Sequence, residues 1–301
     1  MIDTQHIMTN LQEDPNFLPE DLLVILGPTA SGKTKLAVQL ARHLDAEIIS
    51  ADSRQVYRHM DIGTGKDLSE YQHIPYHLID IVDPGEKYNI DRFLSDFDAA
   101  YDAIRSRGKR VVVCGGTGFY IQTLLQSQPF TQIPVDEGLR QRLSTKSTEE
   151  LLAMLELLPI PQNFKVDSST DKRLIRAIEI CMYLDQHPSF VQKERRIYRY
   201  KVIGLNPSAE ERRARITRRL HQRLEEGLVQ EVEKLLAMGL SHENLEYYGL
   251  EYKYVSLFLK GKLSYDDFLT KLETEIHRFA KRQMTYFRKM EKDGIKIDWL
   301  S

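Results

Sequence analysis

The stretch "GPTASGKT", Gly27 to Thr34, fills every defined position of the pattern G-x-x-x-x-G-K-[ST], a spacing that wraps backbone around a phosphate. Gly27, Pro28, Thr29, Ala30, Ser31, Gly32, Lys33 and Thr34 are therefore the candidate phosphate cradle. Amides from Ala30 to Thr34 can surround the anion, Lys33 supplies a full positive charge, and the Thr34 hydroxyl is placed to hold Mg²⁺ between phosphate oxygens. Two further sets of polar residues follow apolar runs. "ADSRQVY" sets Asp52, Ser53, Arg54 and Gln55 after "EIIS", and "GGTGFYI" sets Thr117 after "RVVVC". The first set is expected at the carboxyl end of the sheet, beside the phosphate loop, where open α/β sheets collect ligands.

These residues leave open whose phosphate is held. A phosphoryl-transfer enzyme places an aspartate at the end of an apolar strand to manage Mg²⁺ and water. Here "RVVVCGG" runs into Cys114 and glycines, and "HLIDIVD" offers Asp80 and Asp83 only among polar interruptions. The pattern leans towards a diphosphate that departs rather than a triphosphate that donates.

The elements that must position these groups are legible in the hydrophobic rhythm. Residues 22–124 alternate short apolar runs, "LLVIL", "EIISA", "HLIDIV" and "VVVCGG", with helical stretches such as "KTKLAVQLARHL" and "DRFLSDFDAAYDAIRSRG". That alternation predicts a parallel sheet covered by helices. From about 130 the strands give way to helices at "STEELLAMLELL" and "DKRLIRAIEICMYLDQ"; "RYKVIGLNP" then returns to strand. Ser208 and Glu211 predict a capping box for one long helix carrying Ile216, Leu220, Leu224, Leu228, Val232 and Leu235. A last helix over 264–290 is expected to bury Leu272, Ile276, Phe279 and Phe287. The fold class is thus α/β, a P-loop NTPase-like parallel sheet with a helical insertion and C-terminal helices. The expected organisation is a loose extension over 1–21, a core over 22–129, an insertion over 130–200 and a C-terminal segment over 201–301.

Composition narrows the partners. The net charge is only −2, but residues 1–100 carry 17 acidic against 8 basic side chains, while 193–223 carry 11 basic against 3 acidic. Such asymmetry fits a polyanion met on one side, with a solvated helical face as the plainer alternative. Cys114 and Cys181 have no pairing or ligand spacing, and the first twenty residues contain no apolar core of a leader; a reduced, cytoplasmic setting without membrane contact is expected. His73 and His77 lack a matched third ligand and read as structural.

Taken in order, "GPTASGKT", "ADSRQVY", "DIGTGK", "HLIDIVDP", "GGTGFYI", "DKRLIRAIE" and "RFAKRQMTYFR" resemble the tRNA dimethylallyltransferase family over about residues 22–300. The resemblance implies transfer of a dimethylallyl group from dimethylallyl diphosphate to N6 of the adenosine 3′ of the anticodon, with the cradle gripping the leaving diphosphate and Mg²⁺ assisting. It implies that Asp52 is the general base and Thr117 its partner in holding the reacting groups. Arg219 is the implied diphosphate contact. Asp52, Ser53, Arg54 and Gln55, together with Lys172, Arg173, Leu174, Ile175 and Arg176, are the two segments implied to meet the anticodon stem-loop of tRNA. The chain is expected to act as a monomer. Free adenylate as acceptor, or a P-loop small-molecule kinase, are the alternatives. Three positions depart from the family pattern: Thr217 stands for Asn, Tyr286 for Trp, and Glu251 for the Gly before Tyr252 and Lys253.

Overall fold

Every residue of Leu22–Leu26 is buried, as suits an interior strand of a parallel sheet covered on both faces. The computed structural model describes residues 4–300 apart from 129 and 163. In chain order the elements are α1 (Thr4–Glu13), β1 (Leu22–Leu26), α2 (Lys33–Leu44), β2 (Ala46–Ser50), β3 (Tyr76–His77), α3 (Ile90–Ser106), β4 (Arg110–Gly115), α4 (Gly118–Leu125), α5 (Glu137–Leu143), α6 (Thr148–Glu156), α7 (Asp171–Gln186), β5 (Tyr200–Leu205), α8 (Ala209–Glu225), α9 (Leu228–Ala237), α10 (His242–Tyr247), α11 (Leu250–Leu259), α12 (Tyr265–Lys292) and β6 (Asp298–Leu300). The six strands form one sheet in the order β3-β2-β4-β1-β5-β6, and every pairing is parallel. The carboxyl ends of β1, β2 and β4 therefore lie side by side, which is where open α/β sheets collect ligands.

The chain divides into two compact units, Ser127–Arg196 and the remainder. The smaller is helical and has its own core of Leu139, Leu143, Leu151, Leu155, Leu174 and Ile178. Within it, buried Glu179 accepts hydrogen bonds from the Asp136 amide at 2.7 Å and from Arg140 at 2.9 Å, and pairs with Arg176.

Three expectations are revised. Residues 4–13 are a helix rather than a loose extension: Ile7, Met8 and Leu11 are buried in the same cluster as Leu36 and Leu40 of α2, apolar surface that a short polar-looking segment concealed. The long helix after Ser208 is two. Gly227 takes φ 103° between α8 and α9, a backbone state that ends a right-handed helix. Phe279, assigned to the buried side of α12, is 41% exposed, whereas Leu272, Ile276 and Phe287 are buried.

Candidate active site

The phosphate loop connects β1 to α2, with Gly32 at φ 89° as the cap residue and Lys33 opening the helix. Helix starts leave their first amides without intrahelical partners, and the peptide dipoles add partial positive charge there. A side chain from the far end of the sequence fixes this loop. Gln283 of α12 accepts from the Thr29 amide at 2.9 Å through Oε1 and donates to the Gly116 carbonyl at 2.9 Å through Nε2. One amide thus ties the β1 loop to the β4 loop.

The Lys33 stem runs beside Gly116, where a Cβ would lie 3.7 Å from Lys33 Cε. Burial holds its ammonium below the usual lysine range; Arg219 pushes the same way, and Cys114, Asp52 and Asp67 oppose. Burial likewise raises the Cys114 thiol to about 11, against Lys33 and a hydrogen bond with Thr34. Cys114 is a buried free thiol, so β4 ends in a neutral thiol rather than a carboxylate.

Asp52 follows β2, and its Oδ1 accepts from the Arg54 amide at 2.9 Å, closing a tight polar turn. Gly115 lets this turn approach, since a Cβ there would collide with the Ala51 carbonyl. Thr117 stands at the cap position of α4, yet its side chain makes no cap bond; its Oγ1 instead accepts from the Ser53 amide at 3.1 Å. The threonine therefore pins the Asp52–Ser53 turn to the β4 loop. The Arg54 guanidinium lies 4.7 Å over the exposed Tyr247 ring. Gln55 is held at both ends of its amide, by the Ser50 hydroxyl at 2.9 Å and the Gly65 carbonyl at 3.0 Å, which links β2 to the Gly65 turn.

Asp80 and Asp83 are occupied elsewhere, in ion pairs with Lys66 and Arg58. Buried Lys66 also donates to the Tyr57 carbonyl at 2.7 Å and to Asp61 at 2.6 Å. His77 bonds Glu47 at 2.7 Å. Among the described residues no group of three or more His, Cys, Asp or Glu side chains could hold a metal.

The "DIGTGK" turn is held by a residue that sequence reading missed. Glu231 of α9 accepts from the amides of Asp61, Ile62 and Gly63 at 2.8, 2.7 and 2.9 Å and from the Tyr252 hydroxyl at 2.8 Å. Its signal was a lone carboxylate among Leu228, Val232 and Leu235 on a buried helix face. Glu231→Ala orphans four donors and is expected to cost about 3 kcal/mol of stability, read as a lowered denaturant midpoint; an unchanged midpoint would refute the anchor.

Arg219 of α8 reaches this turn, pairing with Asp67 and donating to the Gly65 carbonyl at 3.3 Å. Arg215 donates to the Ser31 carbonyl at 3.1 Å. Thr217, in place of the expected Asn, bonds Glu273 and so ties α8 to α12. Tyr286, in place of Trp, donates to Gln122 at 2.7 Å. Glu251, in place of Gly, pairs with buried Arg223 at 3.0 Å.

Residues 172–176 lie on α7 in the smaller unit and do not all face solvent. Leu174 and Ile175 are buried in its core, so their side chains cannot meet RNA. Arg176 donates to the carbonyls of Ile133 and Phe130 at 2.8 and 3.1 Å, a bond to its own unit's backbone. Lys172 and Arg173 are exposed.

A model described as IPP transferase matches residues 55–290. The chain belongs to the IPP transferase family. A second model, isopentenyl transferase, matches residues 20–73, the part that carries the phosphate loop. Family relatives include tRNA dimethylallyltransferase 2 of Bacteroides fragilis, 51% identical over 93% of this chain and 92% of its own. Its counterpart in Trichlorobacter lovleyi is 48% identical over the same shares. Among solved structures, the tRNA isopentenylpyrophosphate transferase of Bacillus halodurans superposes with a TM-score of 0.67 at 32% identity, covering 93% of this chain and 89% of its own. A eukaryotic dimethylallyltransferase acting on tRNA superposes with a TM-score of 0.73 at 27% identity, covering 92% and 73%.

Proposed function

We propose that this protein transfers a dimethylallyl group from dimethylallyl diphosphate to N6 of the tRNA adenosine 3′ of the anticodon, releasing diphosphate. The observation that carries this reading is that the Lys33 loop and the Asp52 turn are both tied to the loop after β4, the first through Gln283 and the second through Thr117, at the carboxyl edge of the sheet. That arrangement offers a cation for a leaving group beside a base for an attacking amine.

In this mechanism the loop amides, Lys33 and Arg219 grip the diphosphate. The N6 nitrogen attacks the allylic carbon, the carbon–oxygen bond to diphosphate breaks with its electron pair leaving on oxygen, and the N6 proton passes to Asp52. Thr117 keeps the Asp52 turn in place through Ser53. Holding both substrates in line can supply up to about 7–11 kcal/mol of the barrier. The protein offers Mg²⁺ one hydroxyl, Thr34, which fits an ion coordinated mainly by phosphate and water. When bound, the ion neutralises charge on the departing diphosphate. The adenosine must leave its stack to reach Asp52, at a cost of a few kcal/mol. Exposed Lys172 and Arg173 would contribute phosphate contacts.

No helix among the described residues is long and apolar enough to cross a membrane; with a tRNA substrate, a cytoplasmic monomer is the setting proposed. The deciding assay incubates the protein with dimethylallyl diphosphate, Mg²⁺ and unmodified tRNA and looks for a mass gain on the anticodon-arm adenosine. A gain on free AMP but not on tRNA would move the acceptor, and phosphate transfer from ATP without a prenyl donor would overturn the reaction class. For the acceptor side, Lys172→Glu with Arg173→Glu should weaken tRNA binding and flatten its salt dependence, because fewer counterions are released. An unaltered salt slope would return α7 to a merely solvated helix.

A further inference from the structure

Arg215, Arg219 and Arg223 recur every fourth residue on α8 and so share one face. The first two reach the phosphate loop and the Gly65 turn. The third is built differently. Arg223 is 7% exposed, it pairs with Glu251 at 3.0 Å, and its Nε has no hydrogen-bond partner among the described residues. It also sits directly against its neighbour. A Cβ on Gly65 would collide with Nη2 of Arg223 and come within 2.5 Å of Nη2 of Arg219, so the two guanidinium groups converge over the same glycine. Burial and then Arg219 hold Arg223 below the usual arginine range, with Glu251 opposing.

Two adjacent guanidinium groups repel one another, and here each has its own carboxylate, Asp67 on Arg219 and Glu251 on Arg223. Glu251 lies on the inner one, leaving Arg219 held at Asp67 and Gly65 on the phosphate-loop side. As a stabiliser such a buried pair is weak, but removing one member leaves an uncompensated charge. We infer that Arg223 and Glu251 form a positioning pair that fixes Arg219 and the Gly65 turn for the leaving diphosphate. The inference rests on the donor reading above and assigns the pair no contact with substrate.

The test uses the full chain and three measurements: inorganic diphosphate binding by calorimetry, KM and kcat for the prenyl donor, and tRNA affinity. Glu251→Gln leaves Arg223 charged beside Arg219 and should weaken diphosphate about tenfold, raising donor KM in proportion with kcat and tRNA affinity little changed. Arg223→Met should also weaken it. The double variant should recover to within about threefold of the parent, because the repulsion and its counterion are removed together. Arg223→Lys keeps the buried charge and the fold, yet should raise donor KM, since an ammonium cannot share the Gly65 surface as a planar fork does. Parental donor KM in Arg223→Lys and Glu251→Gln, or single effects that simply add in the double, would overturn the pair. A parent chain that binds no diphosphate would overturn the donor reading itself and, with it, the pair.

Discussion

Lys33→Ala is expected to slow prenyl transfer by about 10²–10³-fold, to weaken donor binding, and to leave tRNA affinity near the parental value. The ammonium stands at the start of α2, beside the Gly116 backbone and within the field of Arg219, Asp52 and Asp67. A diphosphate arriving there meets a charge already desolvated, so little of the attraction is spent on stripping water at the moment of bond breaking. The sign of the pH dependence follows. Burial depresses the lysine pKa in the free protein, so the unfolded chain holds its proton to higher pH than the folded one. The fold gains stability as pH climbs through the depressed value towards the ordinary lysine range, and donor affinity falls over the same window as the ammonium is lost. A bound diphosphate pulls the value back up. Donor KM measured against pH should therefore rise at the alkaline end in the parent. Lys33→Arg, whose charge does not titrate there, should not show that rise. Unchanged single-turnover rates in Lys33→Ala would remove the loop from the donor site.

The cradle was legible in the sequence because its chemistry is local: eight consecutive residues between an apolar strand and a helix define it. The helix α2 and the helix α7 were legible for the same reason, with apolar positions at helical spacing and clear ends. What escaped were side chains whose partners lie far along the chain. Gln283 acts on Thr29 and Gly116 across more than 160 positions, and Glu231 acts on Asp61–Gly63 across about as many. Neither has any local signature beyond a polar residue on a buried helix face. Of the Arg215, Arg219 and Arg223 stripe the resemblance pointed only to Arg219; the face it occupies was not legible, because α8 also carries an apolar stripe at Ile216 and Leu220. Burial corrected the reading of α7: five consecutive residues of a helix sweep its whole circumference, at about 3.6 residues per turn, and Leu174 and Ile175 fall on the inward side.

Asp52→Asn separates binding from chemistry and should give the largest loss. Asn is nearly isosteric, and its amide oxygen can still accept from the Arg54 amide, as Oδ1 does at 2.9 Å. The turn and its tie to Thr117 through the Ser53 amide should therefore survive, and with them the fold and the placement of the adenine. The amide cannot take a proton. The N6 lone pair is delocalised into the ring, so positive charge grows on nitrogen as the new bond to carbon forms, and without an acceptor the transfer should slow by about 10²–10⁴-fold. If Asp52 served only to close its turn, the substitution would change the denaturant midpoint and leave the rate per folded molecule intact. Single-turnover rates with both substrates saturating, and with the folded fraction measured independently, distinguish these outcomes. Thr117→Ala supplies the control in the opposite sense. It removes the hydroxyl that holds Ser53 while leaving the carboxylate, so it should loosen the turn and slow transfer less than Asp52→Asn does. A Thr117→Ala loss as deep as that of Asp52→Asn would mean that Thr117 touches the reacting groups itself, and a near-parental rate in Asp52→Asn would leave the reaction without its base.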